Sequence, residues 1–271
     1  MRMALMRIIV CIKQVPDPEG PPSSFVVDPI LKRVEPRGIP PVLSIFDENA
    51  LEAALRMKDE MKGECTVTVL TMGRKISDAV MLKSLAVGAD ELVKVEDEDL
   101  DSANLDSFRT SEALSCAIKT IGRYDLILVG RQAADWNAGQ TGIGVAMMLG
   151  IPVITMARKI SKRDNELYVE RLIPGGYEVL KSPLPAVVMV SNEIGQLRYP
   201  TVIQRREAKN KPNTALNAAK INYSVSGGNK VVIKKLYAPD VKKRNCTIIA
   251  GTTFEEAGKK LAERLRADSV L

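Results

Sequence analysis

Gly130–Gly142 reads GRQAADWNAGQTG, and it decides the fold. Before it stands Tyr124–Val129 (YDLILV), a short apolar run of the kind that forms a strand buried on both faces. After it comes Ile143–Leu149, apolar enough to open a packed helix. Strand, polar glycine-punctuated loop and helix start, in that order, place backbone N–H groups at the carboxyl edge of a sheet. Open α/β proteins hold anions and nucleotides there. Gln132, Asp135, Asn137, Gln140 and Thr141 offer side-chain donors and acceptors, and Gly130, Gly139 and Gly142 let backbone approach a ligand. No GxGxxG and no GxxxxGK[ST] occurs anywhere in the chain, so an ordinary surface loop remains the competing reading.

Working outward, the strand–helix alternation continues on both sides. Arg7–Ile12 (RIIVCI) is a β-branched run stopped by Pro16 and Pro18. A proline- and glycine-rich excursion follows, in which Phe25–Asp28 and Leu31–Val34 suit a short hairpin. Asp47 suits the N-cap of a helix reaching Met61, with Ala50, Ala54, Met57 and Met61 on its inner face. Cys65–Met72 and Glu91–Val95 read as strands, separated by a helix from Ser77 to about Gly88. The acidic run Glu96–Asp101 reads as a solvated loop, and Leu114, Ala117, Ile118 and Ile121 line a helix closed by Gly122. These elements predict an α/β fold: a doubly wound, mostly parallel, Rossmann-like nucleotide-binding sheet. Val153–Ile160, Glu166–Leu172, Tyr177–Lys181 and Ala186–Val190 add a β-rich section that extends the sheet antiparallel or layers on its edge. The predicted core is residues 1–191. Residues 192–271 carry little apolar surface, residues 210–250 are weakly patterned, and one helix starts at Thr253-x-x-Glu256 with Ala257, Leu261 and Leu265 on its apolar face. Such a tail is expected to wrap a partner.

Composition excludes several classes. The chain has 271 residues, a formal net charge of +6 and no histidine. Ser-His and Cys-His nucleophile pairs and most histidine-bearing metal sites are thereby removed. The four cysteines (Cys11, Cys65, Cys116, Cys246) stand apart in apolar contexts and read as core thiols, with no metal ligands among them. Basic residues are not interleaved with aromatics, so nucleic acid is not expected as a partner. No run approaches the roughly 20 apolar residues of a membrane span, and no signal pattern opens the chain; a soluble, cytoplasmic protein is expected.

Several separate stretches together resemble the β subunit of electron transfer flavoproteins. They are CIKQVPD (Cys11–Asp17), FDENALEAALRMKDE (Phe46–Glu60), LAVGADE (Leu85–Glu91), the Gly130 loop, VERLIPGGYEVLKSPLPAVV (Val169–Val188) and RYPTVIQRREAK (Arg198–Lys209). The resemblance implies an electron carrier without catalytic residues of its own. It implies a heterodimer with an α subunit, which holds the redox FAD, and a nucleotide site in this chain for AMP or a second FAD. Carried over by position, that site takes Cys11, Ser44, Ile45, Phe46, Asp47, Met72, Gly130, Arg131, Gln132, Ala133, Ala134, Asp135, Trp136, Asn137, Ala138, Gly139, Gln140 and Thr141. The wording KQVPD and GRQA is nearer to the anaerobic, flavin-bifurcating members. Leu172 and Pro18 replace a glutamate and a tyrosine that respiratory members place near the α-subunit flavin. Both points imply FAD in preference to AMP. The basic segment around Val202 matches the loop by which the family docks acyl-CoA-type and other flavin dehydrogenases. A competing class, on fold alone, is a non-redox AMP- or ATP-binding regulatory module.

Overall fold

A computed structural model describes residues 5–101, 104–164, 166–224, 228–238 and 246–270. Its strands are β1 (Met6–Cys11), β2 (Gln14–Pro16), β3 (Phe25–Asp28), β4 (Arg33–Pro36), β5 (Pro41–Leu43), β6 (Cys65–Gly73), β7 (Glu91–Glu96), β8 (Leu126–Gly130), β9 (Val153–Arg163), β10 (Glu166–Ile173), β11 (Gly176–Pro183), β12 (Ala186–Val190) and β13 (Asn213–Leu216). The helices are α1 (Ile45–Glu60), α2 (Asp78–Ala86), α3 (Ser107–Ile121), α4 (Thr141–Leu149), α5 (Val202–Glu207) and α6 (Phe254–Ala267). By compactness the chain divides into one unit ending at Leu236 and a second from Tyr237 onward.

Nine strands form one sheet in the order β11-β10-β9-β12-β8-β1-β6-β7-β13. β10 runs antiparallel to both of its neighbours, and the remaining pairings are parallel. The expected α/β class holds, with helices covering the sheet on both faces. The period of two along each central strand divides its side chains between two cores. Ile8, Val10, Leu126 and Leu128 pack with Ala50, Leu51, Ala54 and Leu55 of α1 and Met81 and Leu85 of α2. Ile9, Cys11, Ile127 and Val129 pack with Ala113, Leu114, Ala117 and Ile118 of α3 and Val145 and Ala146 of α4.

The β-rich section does extend the sheet, but not simply by antiparallel addition. β12 inserts between β8 and β9 and is parallel to both. β13, in a stretch with no clear sequence pattern, adds to β7 at the far edge. The expected hairpin forms as β3 paired with β4. Helix α1 begins earlier than expected: Ser44 is its N-cap residue, and Asp47 lies in the first turn. The final helix was expected to bury Ala257, Leu261 and Leu265; α6 buries no residue, and Leu261 is 47 % exposed. Cys11 and Cys65 are core thiols as expected, Cys116 is half-buried, and Cys246 is exposed. Among the described residues, no helix is long and apolar enough to cross a membrane.

Candidate functional site

The chain order explains where a ligand fits. From β1 the chain steps outward to β6 and β7, then returns across β1 to β8. The loops leaving β1 and β8 therefore diverge and open a crevice at the carboxyl ends of those strands. A cleft open to solvent at its mouth, with a cavity volume of about 140 Å³, lies there. Cys11, Ile12 and Lys13 at the end of β1 line it, with Asp47 from α1 and Met72 from β6. Val129, Gly130, Arg131, Gln132, Ala133, Trp136, Ala138, Gly139, Gln140, Thr141 and Gly142 form the β8–α4 side, and Met189 reaches in from β12.

Asp47 holds the two diverging loops together. Its carboxylate accepts the backbone N–H of Lys13 at 2.8 Å and that of Gly130 at 3.2 Å. Gly130 is required by this contact: a Cβ there would stand 2.5 Å from Asp47 Oδ1 and 2.6 Å from the Phe46 carbonyl carbon. Burial pushes the Asp47 carboxyl up from 3.8 to about 7, against the pull of both N–H groups, the Lys13 charge and the Ser44 hydroxyl. Burial, with Asp47 adding to it, pushes the Cys11 thiol up to about 12, so it is an inert packing group.

A pH dependence follows. The folded state holds the Asp47 proton more tightly than the unfolded chain. Its stabilising contribution is therefore complete below about pH 4 and is lost as pH rises through 7. In denaturant titrations, the advantage of wild type over Asp47→Asn should be about 2–3 kcal/mol greater at pH 5 than at pH 8, since each unit of differential titration is worth about 1.4 kcal/mol. A difference independent of pH would show that Asp47 does not titrate in this window.

Lys13 Nζ bridges the crevice to Asp135 Oδ2 at 2.7 Å. The Arg131 guanidinium lies over the Phe46 ring, 4.7 Å from its centroid, and its buried Nε has no hydrogen-bond partner among the described residues. The N-terminus of α4 has no side-chain cap, so its first backbone N–H groups are free to receive an anion. Met72, Leu100, Leu105, Leu114, Val129 and Met189 make the apolar part of the lining, with Ser107 and Thr110 beside it, and Val129 and Met189 lie against Gly142 in the first turn of α4. The arrangement suits a ligand that carries both a planar apolar group and phosphates.

Not every residue carried over by position lies on the cleft wall. Ser44 is buried behind it, its hydroxyl 3.4 Å from the N–H of Ala134. Ile45 is exposed, and Phe46 stacks beneath Arg131. Ala134, Asp135 and Asn137 shape the loop itself. Asn137 takes a left-handed backbone, gives its N–H to the Ala133 carbonyl at 2.9 Å and accepts from Gln132 Nε2 at 2.9 Å. Gly142 lines the cleft and also serves helix–sheet packing, since a Cβ there would strike Val129 and Met189. The sequence reading missed Ile12, Lys13, Leu100, Leu105, Ser107, Thr110, Leu114, Val129 and Met189. Leu100 had a signal, a lone leucine in the acidic run read as solvated, and it is fully buried.

Comparison with known proteins places this cleft in a family. The model of the electron transfer flavoprotein domain matches residues 34–221. The caffeyl-CoA reductase-Etf complex subunit CarD of Acetobacterium woodii is 33% identical over 98% of this chain and 100% of its own length. The electron transfer flavoprotein subunit beta of Thermoanaerobacterium thermosaccharolyticum is 32% identical over 98% and 100%, and protein FixA of Azorhizobium caulinodans is 32% identical over 95% and 93%. With that extent of match, and with the Gly130 loop lying inside the matched domain, the chain belongs to the electron transfer flavoprotein family, among its β subunits.

Proposed function

We propose that this chain, as the β subunit of an electron transfer flavoprotein, holds a second FAD in the β1–β8 cleft, where AMP is the alternative occupant, and passes electrons within a cytoplasmic heterodimer with an α subunit. The observation that carries the reading is the presence, in one cleft, of an apolar lining and an uncapped helix N-terminus. The residues present fit the group. Met72, Leu100, Leu105, Leu114 and Met189 would cover adenine; the α4 N-terminus, Thr141 and Arg131 would take the pyrophosphate. Lys13, Gln132 and Trp136 line the part of the cleft left for the remainder of the dinucleotide.

A bound flavin supplies the one- and two-electron chemistry. The chain's own residues orient and shield it. Asp47 keeps the two loops at fixed separation, and Arg131, stacked over Phe46, brings positive charge to the cleft. The segment 198–209 serves as recognition loop, its exposed residues around Val202 facing a flavin dehydrogenase, and the unit from Tyr237 onward serves as arm facing the α subunit. Family membership favours electron transfer over a non-redox nucleotide-binding module of the same fold.

The decisive measurement is the nucleotide content of the purified heterodimer. Denaturation should release two FAD per dimer. One FAD with stoichiometric AMP would overturn the second-flavin assignment.

A further inference from the structure

The segment that leaves β12 is pinned to one stripe of α1. Asn49 Nδ2 donates to the Gly195 carbonyl at 2.7 Å, and Arg56 Nη1 donates to the Ile194 carbonyl at 2.6 Å. Arg198 grips the Glu52 carboxylate with its whole fork: Nε to Oε2 and Nη2 to Oε1, both at 3.1 Å. Its backbone N–H also reaches Glu52 Oε2 at 3.1 Å, and its Nη1 reaches Asp59 at 2.8 Å. Positions 49, 52, 56 and 59 recur at helical spacing and share one face of α1. Glu52 is only 4 % exposed. Burial alone would raise its carboxyl, yet Arg198 and Arg56 hold it below its ordinary value. A carboxylate this buried, satisfied on both oxygens by a planar fork, fixes its partner's position more stringently than a surface ion pair can.

The clamp leads directly into α5. Thr201 caps that helix in a reciprocal box with Gln204. Val202 and Ile203 are each 69 % exposed, and Arg205 and Arg206 stand in the last turn. On the far side Ala208 is buried, and Lys211 Nζ donates to the Leu85 and Ala89 carbonyls at 2.9 and 2.6 Å, bracing the chain on the end of α2. A helix of six residues has no stability of its own in water. The bracing at its two ends, together with its seat against α2, holds α5 in place.

We infer that the Arg198–Glu52 clamp is a positioning device that presents α5 as a preformed knob, Val202 and Ile203 outward and Arg205 and Arg206 beside them, to a partner protein whose apolar pocket carries an acidic rim. The inference rests on the docking reading above and deepens it. The charge complementarity is local: two adjacent arginines next to two exposed aliphatics favour an acidic rim and salt-sensitive association. Preforming the knob removes the ordering cost that a mobile loop would incur on docking.

The test uses the flavin-loaded heterodimer. Amide hydrogen exchange over residues 199–209 should quicken about tenfold or more in both Arg198→Lys and Glu52→Gln. The amides of β1, β8 and the Gly130 loop should be unchanged, and so should the flavin spectrum. Lysine keeps the charge and loses the fork, so it should not rescue. With an acyl-CoA dehydrogenase and its acyl-CoA as electron source, KM for the heterodimer should rise about tenfold in Arg198→Lys and in Val202→Glu, with kcat retained. Unchanged exchange at 199–209 in both clamp variants would overturn the clamp. A Val202→Glu complex with unaltered KM, or a wild-type complex that this dehydrogenase does not reduce, would instead count against the docking reading.

Discussion

Replacing Gly130 by valine should empty the cleft of nucleotide and lower the melting temperature of the chain by roughly 6–12 °C. The new Cβ would meet Asp47 Oδ1 at 2.5 Å and the Phe46 carbonyl carbon and oxygen at 2.6 and 2.7 Å. Two of these three atoms are backbone, and they cannot drift away. The start of α1 is tied back to strand β1, the N–H of Ser44 bonding to the Lys13 carbonyl at 2.9 Å. Relief must come from separating α1 from β8, which breaks the two hydrogen bonds by which Asp47 spans the crevice. Overpacking of this kind costs about 3 kcal/mol, and in a domain of this size each kcal/mol moves the midpoint about 2–4 °C. The nucleotide effect should exceed the stability effect, because the same movement reaims the Gly130–Gly139 loop that lines the cleft. Circular dichroism melts and nucleotide release by denaturation check both. A variant with full nucleotide content and an unshifted midpoint would mean that Asp47 and Gly130 do not hold the crevice.

Deleting the chain from Thr253 onward should weaken the heterodimer by about a hundred- to a thousandfold while leaving the nine-stranded sheet folded. Helix α6 is amphipathic and properly started: Thr253 Oγ1 accepts the N–H of Glu256, and the Glu256 carboxylate accepts the N–H of Thr252 at 2.8 Å. Yet none of its residues is buried, and Phe254 is 99 % exposed. An exposed apolar stripe of this kind is a surface that a partner chain can cover. Phe254 and Leu261 as interface anchors are worth about 2 kcal/mol each, which sums to the stated loss in affinity. Sedimentation or surface-binding measurements with the separate α subunit check this. A truncated chain that associates at wild-type affinity would remove α6 from that interface.

Much of the architecture was legible because its causes are local. Arg7–Ile12 and Tyr124–Val129 are β-branched, apolar and short, and they form the strands β1 and β8 within a residue or two of expectation. Gly122 closes α3 with a positive φ of 97°, where a non-glycine residue would be strained. The Gly130 loop was legible for the same reason, since glycine spacing and polar side chains between an apolar strand and an apolar helix record a local geometry. Asp47 was legible as a helix-start residue but not in its role. Nothing in its neighbours foretells that its carboxylate turns away from its own helix to hold Lys13 and Gly130, the latter 83 positions away.

The sequence by itself determined the α/β class, the central strands, the glycine-marked loop that lines the cleft and, by resemblance of its motifs, the family. Tertiary structure alone decided the order of the sheet and therefore the walls of the cleft. β12 lies between β8 and β9, which brings Met189 to the crevice, and the turn at Glu98–Leu100 folds inward so that Leu100 and Leu105 line the cleft. It also decided that α1 would carry Asp47 to the cleft and Asn49, Glu52 and Arg56 to the base of α5. The physical reason is one of range. Propensity, capping and periodicity are written within a few residues of each other. Strand order and cross-chain hydrogen bonds are settled instead by which distant apolar faces bury each other best, and no short window of sequence records that competition.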